Sequence, residues 1–249
     1  MSTSGLPVAF FVTGTDTEVG KTLISCALLT CMTQRGWRSV GMKPVAAGAV
    51  LQDGVWSNED VVALTGASNL PALDVLAAHI NPYLFQVPAA PHIAALQEQR
   101  QIDLGLIVSS YEHLSKQAQA LIVEGVGGFR VPFNDTHDSA DLAQQLQLPV
   151  ILVIGMRLGC ISHALLTAEA IAARGLTLAG WVANCMQGEM AYLLENISAL
   201  QARLPAPLLG CIPRLEQPTP EQVAELLQVG PLFGQFELVS SNSITTAEQ

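Results

Sequence analysis

A short apolar segment, Val8 to Val12, runs straight into GTDTEVGKT, Gly14 to Thr22, and then into a stretch with helical spacing, Lys21 to Gln34. A strand that feeds a glycine-rich turn and then a helix is the setting of a P-loop. The turn aims several backbone N–H groups and the positive end of a helix dipole at one point, which suits a polyphosphate. There Lys21 adds charge near the β- and γ-phosphates, and the Thr22 hydroxyl reaches Mg²⁺. The usual pattern has four residues between its glycines; here five lie between Gly14 and Gly20.

The rest of the chain fits an α/β fold around that start. Short apolar runs recur at Ser39 to Val45, Ala120 to Val123, Val150 to Ile154, Leu178 to Ala183 and Leu208 to Ile212. They are continuous rather than alternating, as strands covered on both faces are. Helical spacing fills Asp103 to Gln119, Ser139 to Leu146, Ser162 to Arg174, Glu189 to Leu204 and Glu221 to Leu227. Gly36 and Gly175 follow Arg35 and Arg174, where a left-handed C-cap and a terminal cation are favoured. Alternating strands and helices predict a mostly parallel sheet with right-handed crossovers and helices on both faces. Residues 1–233 read as a single P-loop NTPase-like domain. Ala47 to Ser57 reads as a loop, and residues 234–249 as a polar, disordered tail.

Composition removes several function classes. The 249 residues are 50% hydrophobic and 13% charged, which excludes a disordered chain. A net charge of −10 argues against a broad nucleic-acid surface. The five cysteines form no C-x-x-C, so reduced thiols in a cytoplasmic protein are expected. No targeting segment is read at the start, and the longest apolar run, Pro149 to Met156, is far shorter than a membrane span.

In an open parallel sheet a ligand lies beyond the carboxyl ends of the strands. The second strand ends in MKPVAAG, which places Lys43 near that edge. In ALIVEGVGG the apolar run ends at Glu124, which is followed by three glycines within four residues, and these let backbone approach a ligand. Asn184 ends LAGWVAN and Pro213 ends LLGCIP. Glu124 fits hard-cation chemistry. Taken singly, Lys43 reads equally as a solvated lysine, Asp60 as an N-cap or surface acid, and Asn184 as a turn residue.

Together GTDTEVGKT, GMKPVAAG, VEGVGG, LVIGMRLGCISHALLTAEAI, LAGWVAN and PAPLLGCIP resemble the dethiobiotin synthetase family, from about Val8 to Leu215. The resemblance implies a homodimer with the substrate near the subunit interface. The reaction would be ATP-dependent carboxylation and ring closure of 7,8-diaminopelargonic acid with CO₂, with Mg²⁺ as cofactor; the net charge and the short apolar runs already read against nucleic acid or membrane as partner. Matched residue by residue, it implies Lys43, Lys21 and Thr17 in catalysis and Thr22, Asp60 and Glu124 on the metal. Glu18, Val19, Gly20, Lys21, Thr22 and Leu23 would follow the phosphates, with Gly125, Val126 and Gly127 against nucleotide and substrate. Asn184 and Cys185, with Pro213, Arg214 and Leu215, would surround the base. Ala47, Gly159, Cys160, Ile161 and Ser162 would meet the substrate. Ala47 stands where the family usually has serine, and Ser162 where asparagine is usual.

Other features read plainly. His163 serves either capping and packing or substrate contact. Cys160 and Cys185 read as structural thiols and Trp181 as core. Three rivals share the scaffold. A catalytically dead regulatory homologue would lack the lysines and carboxylates, which are present here. An amidoligase-type ATPase would need a glutaminase domain, for which no room remains, or another substrate pocket. A partitioning-type ATPase switch usually carries an extra lysine early in the P-loop and a basic amphipathic tail. Here Thr15, Asp16 and Thr17 follow Gly14, and the end, FELVSSNSITTAEQ, is not basic.

Overall fold

A computed structural model of the chain describes residues 6–186 and 190–233. The elements run β1 (Val8–Gly14), α1 (Lys21–Gln34), β2 (Ser39–Met42), β3 (Val45–Ala46), β4 (Val50–Gln52), β5 (Val55–Ser57), α2 (Glu59–Ala67), α3 (Leu73–Ile80), β6 (Tyr83–Leu84) and α4 (Pro91–Gln97). Then follow α5 (Leu104–Ser115), β7 (Ala120–Gly128), α6 (Ser139–Leu146), β8 (Val150–Gly155), α7 (Cys160–Ala173), β9 (Leu178–Asn184), α8 (Leu193–Gln201), β10 (Leu208–Ile212) and α9 (Pro220–Glu225).

Six strands form one wholly parallel sheet in the order β10-β9-β8-β1-β7-β2. Between β1 and β2 lies β7, so the chain leaves β1 toward one edge and later crosses back to β8 on its other side. That reversal opens a crevice at the carboxyl end of β1, the place where such sheets bind ligands. Every residue of β1 is buried, as its unbroken apolar run requires.

Two apolar layers sandwich the sheet. One packs α1 and α9, with Leu64 of α2, against Val8, Phe10 and Val12. The other packs residues of α3 through α8 against Phe11, Leu121 and Val123. The alternation of β1 between the two layers follows from its two-residue period. Ten of the fourteen residues of α1 are buried, so the P-loop helix is an internal strut rather than a surface one. Trp181 is fully buried in the core. Gly36 and Gly175 take φ of 76° and 71° just past α1 and α7, as their positions predict.

The expectations need correction between Val45 and Gln97. The second apolar run does not continue to Val45; β2 stops at Met42 and β3 pairs with β6 in a separate ribbon. Ala47 to Ser57 is not simply a loop, because β4 and β5 form an antiparallel hairpin across Asp53 and Gly54, at φ 50° and 80°. Aspartate–glycine is the preferred pair for such a turn. The helices α2, α3 and α4 were not anticipated. β7 runs on through Gly128, and α7 starts at Cys160 rather than Ser162. The helix expected over Glu189 to Leu204 spans Leu193–Gln201, and the polar tail lies outside the described residues.

Candidate active site

Gly20 precedes α1 in a left-handed conformation, and no side chain caps the helix. The first N–H groups of an α-helix have no partner within it, and here they face the crevice end of β1. Position 20 must be glycine on two counts. Its φ is +85°, and a Cβ there would stand 2.2 Å from Asn184 Nδ2. That amide nitrogen donates to Val19 O at 2.9 Å, so β9 is tied directly to the P-loop. Glu18 also sits at positive φ, 56°. Across the turn, a Cβ on Gly127 would meet Thr17 Oγ1 at 3.4 Å, which puts the glycine-rich end of β7 against the P-loop.

Four side chains from four separate stretches meet beside this turn. Thr22 Oγ1 stands 2.6 Å from Asp60 Oδ1 and 2.9 Å from Glu124 Oε1, so one hydroxyl proton serves two acceptors. Lys43 Nζ donates to Glu124 Oε1 at 2.6 Å and to Gly125 O at 3.3 Å, and lies 2.7 Å from Asp60 Oδ2. Glu124 is fully buried and Lys43 nearly so. Burial alone would pull the Lys43 ammonium down, but Glu124 and Asp60 outweigh it and hold its pKa above the usual lysine range. Burial pushes the Asp60 carboxyl up, yet Lys43 and the Thr22 hydroxyl bring it below the usual aspartate range. Lys21 is different. Burial first, and the charge of Lys43 second, lower its pKa to about 8 against the pull of Glu124, Asp60 and Asp16. Its Nζ folds back onto Asp16 O at 3.0 Å.

The backbone explains why these side chains converge. The Lys43 N–H donates to Ile80 O, and Lys43 O accepts from Asn81 Nδ2 at 2.6 Å, so the end of α3 clamps the residue on both sides. Asn58, not Asp60, is the N-cap of α2. Its Oδ1 accepts from Asp60 N at 3.1 Å, while its Nδ2 donates to Ala47 O at 3.2 Å. That single side chain fixes both the start of α2 and the Ala47 segment.

The donor set around Thr22 can be tested for a metal. It offers one hydroxyl and two carboxylates, all hard oxygens. Glu124 Oε2 is buried and has no hydrogen-bond partner among the described residues. An unpartnered buried carboxylate oxygen is a standing electrostatic debt that a cation relieves. These residues fit Mg²⁺, which is held by one or two carboxylates together with substrate phosphates.

Beside the P-loop lies a cavity of about 740 Å³, lined by residues 16–19 on one wall and by Gly155, Met156, Arg157, Asn184 and Met186 on the other. It therefore takes in Thr17, Glu18, Val19 and Asn184 from the residues singled out in the sequence. Others stand apart from its walls. Cys185 is buried, Pro213 and Arg214 are exposed, and Leu215 packs against the α1 layer. Leu23 packs against the same layer. Gly125 and Val126 lie on β7 with Glu124. Ala47 is half-buried on the hairpin side. Gly159 starts α7 at φ 95°, with Cys160 buried, Ile161 half-buried and Ser162 exposed. His163 is exposed, its N–H donating to Gly159 O. The sequence reading passed over Asn58, Asp16, Met156, Arg157 and Met186. Asn58 was legible as an N-cap before Glu59 and Asp60; Arg157 directly follows the apolar run Pro149 to Met156, which gave it no signal of its own.

A parallel sheet, an uncapped helix after a glycine-rich turn and a cavity beside it define a P-loop nucleotide-binding protein. Solved structures share this fold. The septum site-determining protein MinD from Pyrococcus horikoshii OT3, in complex with Mg-ADP, superposes with a TM-score of 0.53 at 13% identity, over 95% of this chain and 99% of that one. A ParA family ATPase from Chlorobium tepidum TLS gives 0.52 at 11%, over 95% and 93%. Sequence narrows the class. A family model described as an AAA domain matches residues 8–222. The ATP-dependent dethiobiotin synthetase BioD of Aromatoleum aromaticum is 55% identical over 224 residues, 90% of this chain and 98% of that protein. The chain belongs to the dethiobiotin synthetase family.

Proposed function

We propose that this protein is an ATP-dependent dethiobiotin synthetase, which closes 7,8-diaminopelargonic acid and CO₂ into a cyclic urea while ATP becomes ADP and phosphate. The observation that carries the reading is the meeting of Lys43, a cation outside the P-loop, with Thr22, Asp60 and Glu124 at the mouth of the P-loop helix. The relative at 55% identity, named for this activity, supports it. The partitioning-type proteins share only the fold, at 11% and 13% identity.

In the proposed sequence CO₂ adds to one amine to give a carbamate. A carbamate oxygen attacks the γ-phosphorus, the bond to ADP breaks, and a carbamic–phosphoric anhydride forms. The second amine then attacks its carbonyl carbon and expels phosphate, closing a five-membered ring. Two anions must approach in the phosphoryl step, so the site has to supply positive charge and alignment rather than a nucleophile. The N-terminus of α1 and Lys21 receive the phosphates, with residues 18–23 along them and Thr17 beside the transferred group. Lys43, held charged and clamped by α3, offsets charge where carbamate and phosphate meet. Thr22, Asp60 and Glu124 would hold Mg²⁺, which neutralises phosphate charge when bound. Asn184 and Cys185 with residues 213–215 would surround the base, and residues 125–127 would lie against nucleotide and substrate.

Ala47 and residues 159–162 are proposed to meet the diamine. Leu158 and Ser162 face outward from α7's start, which suits a substrate held near a homodimer interface. Residues 1–233 act as one synthetase domain, in the cytoplasm. The test is incubation with 7,8-diaminopelargonic acid, bicarbonate and MgATP, with the product identified by mass and ADP release followed. Diamine-stimulated ADP release with product of dethiobiotin mass is expected; hydrolysis indifferent to the diamine would overturn the reading.

A further inference from the structure

One ion pair spans the two walls of the nucleotide cavity. Arg157 Nη2 lies 2.6 Å from Asp16 Oδ2. Asp16 belongs to the P-loop wall, and Arg157 to the loop between β8 and α7. Asp16 is a hub: its Oδ1 accepts from Thr17 N at 2.8 Å, and its carbonyl accepts from Lys21 Nζ at 3.0 Å. Its carboxylate therefore holds the peptide that follows it, and its backbone holds the P-loop lysine. The other end of the bridge is also anchored, because Met156, the residue before Arg157, donates its N–H to Asn184 O at 2.9 Å.

A carboxylate on the phosphate wall poses a physical problem. A site for an anion carries a negative charge on its own rim, and Coulomb repulsion opposes the ligand unless the charge is cancelled nearby. Arg157 supplies the cancellation, and a guanidinium does so without the option of losing its proton. The pair is half-exposed, 43% for Arg157 and 49% for Asp16, so its influence is modest and sensitive to salt.

We infer that Arg157 is a positioning residue of the nucleotide site: through Asp16 it neutralises the P-loop rim and ties that wall to the segment leading into α7. The inference rests on the nucleotide-binding part of the proposed function and is tested by binding alone, with MgADP as the probe at pH 7. In about 20 mM salt, Arg157→Ala is expected to raise the MgADP dissociation constant about three- to fivefold, and the loss is expected to shrink at 0.5 M salt. Arg157→Lys, which keeps the charge, recovers most of the affinity. Asp16→Asn keeps an acceptor for Thr17 N while removing the charge. In an Asp16→Asn background, where the ion pair that orients the P-loop carboxylate is gone, Arg157→Ala is expected to cause a clearly smaller loss. An equal loss in both backgrounds would overturn the inference, because Arg157 would then act on the nucleotide by its own charge or by contact rather than through Asp16. So would unaltered low-salt affinity in Arg157→Ala. Failure of the unmutated protein to bind MgADP would instead defeat the nucleotide-site reading beneath it. Thermal melts of each variant accompany the titrations, and the background comparison reads charge coupling even where a variant melts lower.

Discussion

The fully buried Glu124 invites a direct perturbation: Lys43→Met, which keeps length and apolar bulk but removes the ammonium. Glu124 Oε1 then loses its 2.6 Å partner, and Oε2 already has none. Among the described residues the Thr22 hydroxyl then remains its one hydrogen-bond partner, at 2.9 Å and shared with Asp60. Removing one member of a buried pair leaves an uncompensated charge and costs about 3–5 kcal/mol. For a domain of this size, each kcal/mol moves the melting temperature by about 2–4 °C, so a fall of roughly 10 °C is expected. Glu124→Gln added to Lys43→Met removes the stranded charge and should recover more than half of the loss. Asp60→Asn added instead should recover little, because Asp60 is 32% exposed and water already solvates it. Urea unfolding followed by circular dichroism, with a thermal melt, measures all four proteins. A Lys43→Met protein within about 1 kcal/mol of the unmutated one would refute the reasoning, as would a Lys43→Met/Glu124→Gln protein no more stable than Lys43→Met.

Burial and the charge of Lys43 lower the Lys21 pKa to about 8 when no phosphate is present. Below that pH the lysine is charged before and after binding, so MgATP affinity stays flat; above it, binding must take up a proton. Affinity should then fall toward tenfold per pH unit, and calorimetry in buffers of different ionisation heat should record the uptake. Asp60→Asn should raise the Mg²⁺ concentration for half-maximal turnover more than tenfold while leaving the fold intact, because Asn58 still caps α2; metal titration of ADP release checks it. Gly20→Ala should cost about 1–3 kcal/mol of stability and most nucleotide affinity, since the new Cβ enters at 2.2 Å from Asn184 Nδ2; a melt and a nucleotide titration read the two losses.

The main sheet was legible because its strands are covered on both faces and so write themselves as unbroken apolar runs. The run expected at Val150 to Ile154 differs from β8 by one residue. The region from Val45 to Gln97 was less readable. β3 and β6 are two residues long, too short to show a period. In the hairpin, Val50, Leu51, Val55 and Trp56 are exposed at 42–67%, so burial left no alternation to find, although Asp53-Gly54 carried the turn signal. The residues of the polar cluster were named from the sequence, but not their contacts. Thr22 and Glu124 are 102 positions apart, and Lys43 and Glu124 are 81 apart. Spacing along the chain says nothing about such pairs. The clamp on Lys43 by Asn81 and Ile80 was equally hidden, since it depends on helices that propensity did not reveal.

The placement of β7 between β1 and β2 has a consequence for biosynthesis. Val8 pairs with Ala120, and so does Ser39. The first two strands of the sheet therefore cannot pair with each other and must wait for a third. At about 5–20 residues per second, the roughly 77 residues between β2 and β7 take about 4–15 seconds to emerge from the ribosome. For that interval the chain presents two apolar strands with unsatisfied edges, the condition that favours mispairing between neighbouring nascent chains. No nascent chain ending before β7 can hold Glu124 beside Thr22, so nucleotide cannot stabilise the P-loop early. The protein must pass this stage without its ligand, and here a chaperone that covers residues 8–42 would improve yield more than added nucleotide would.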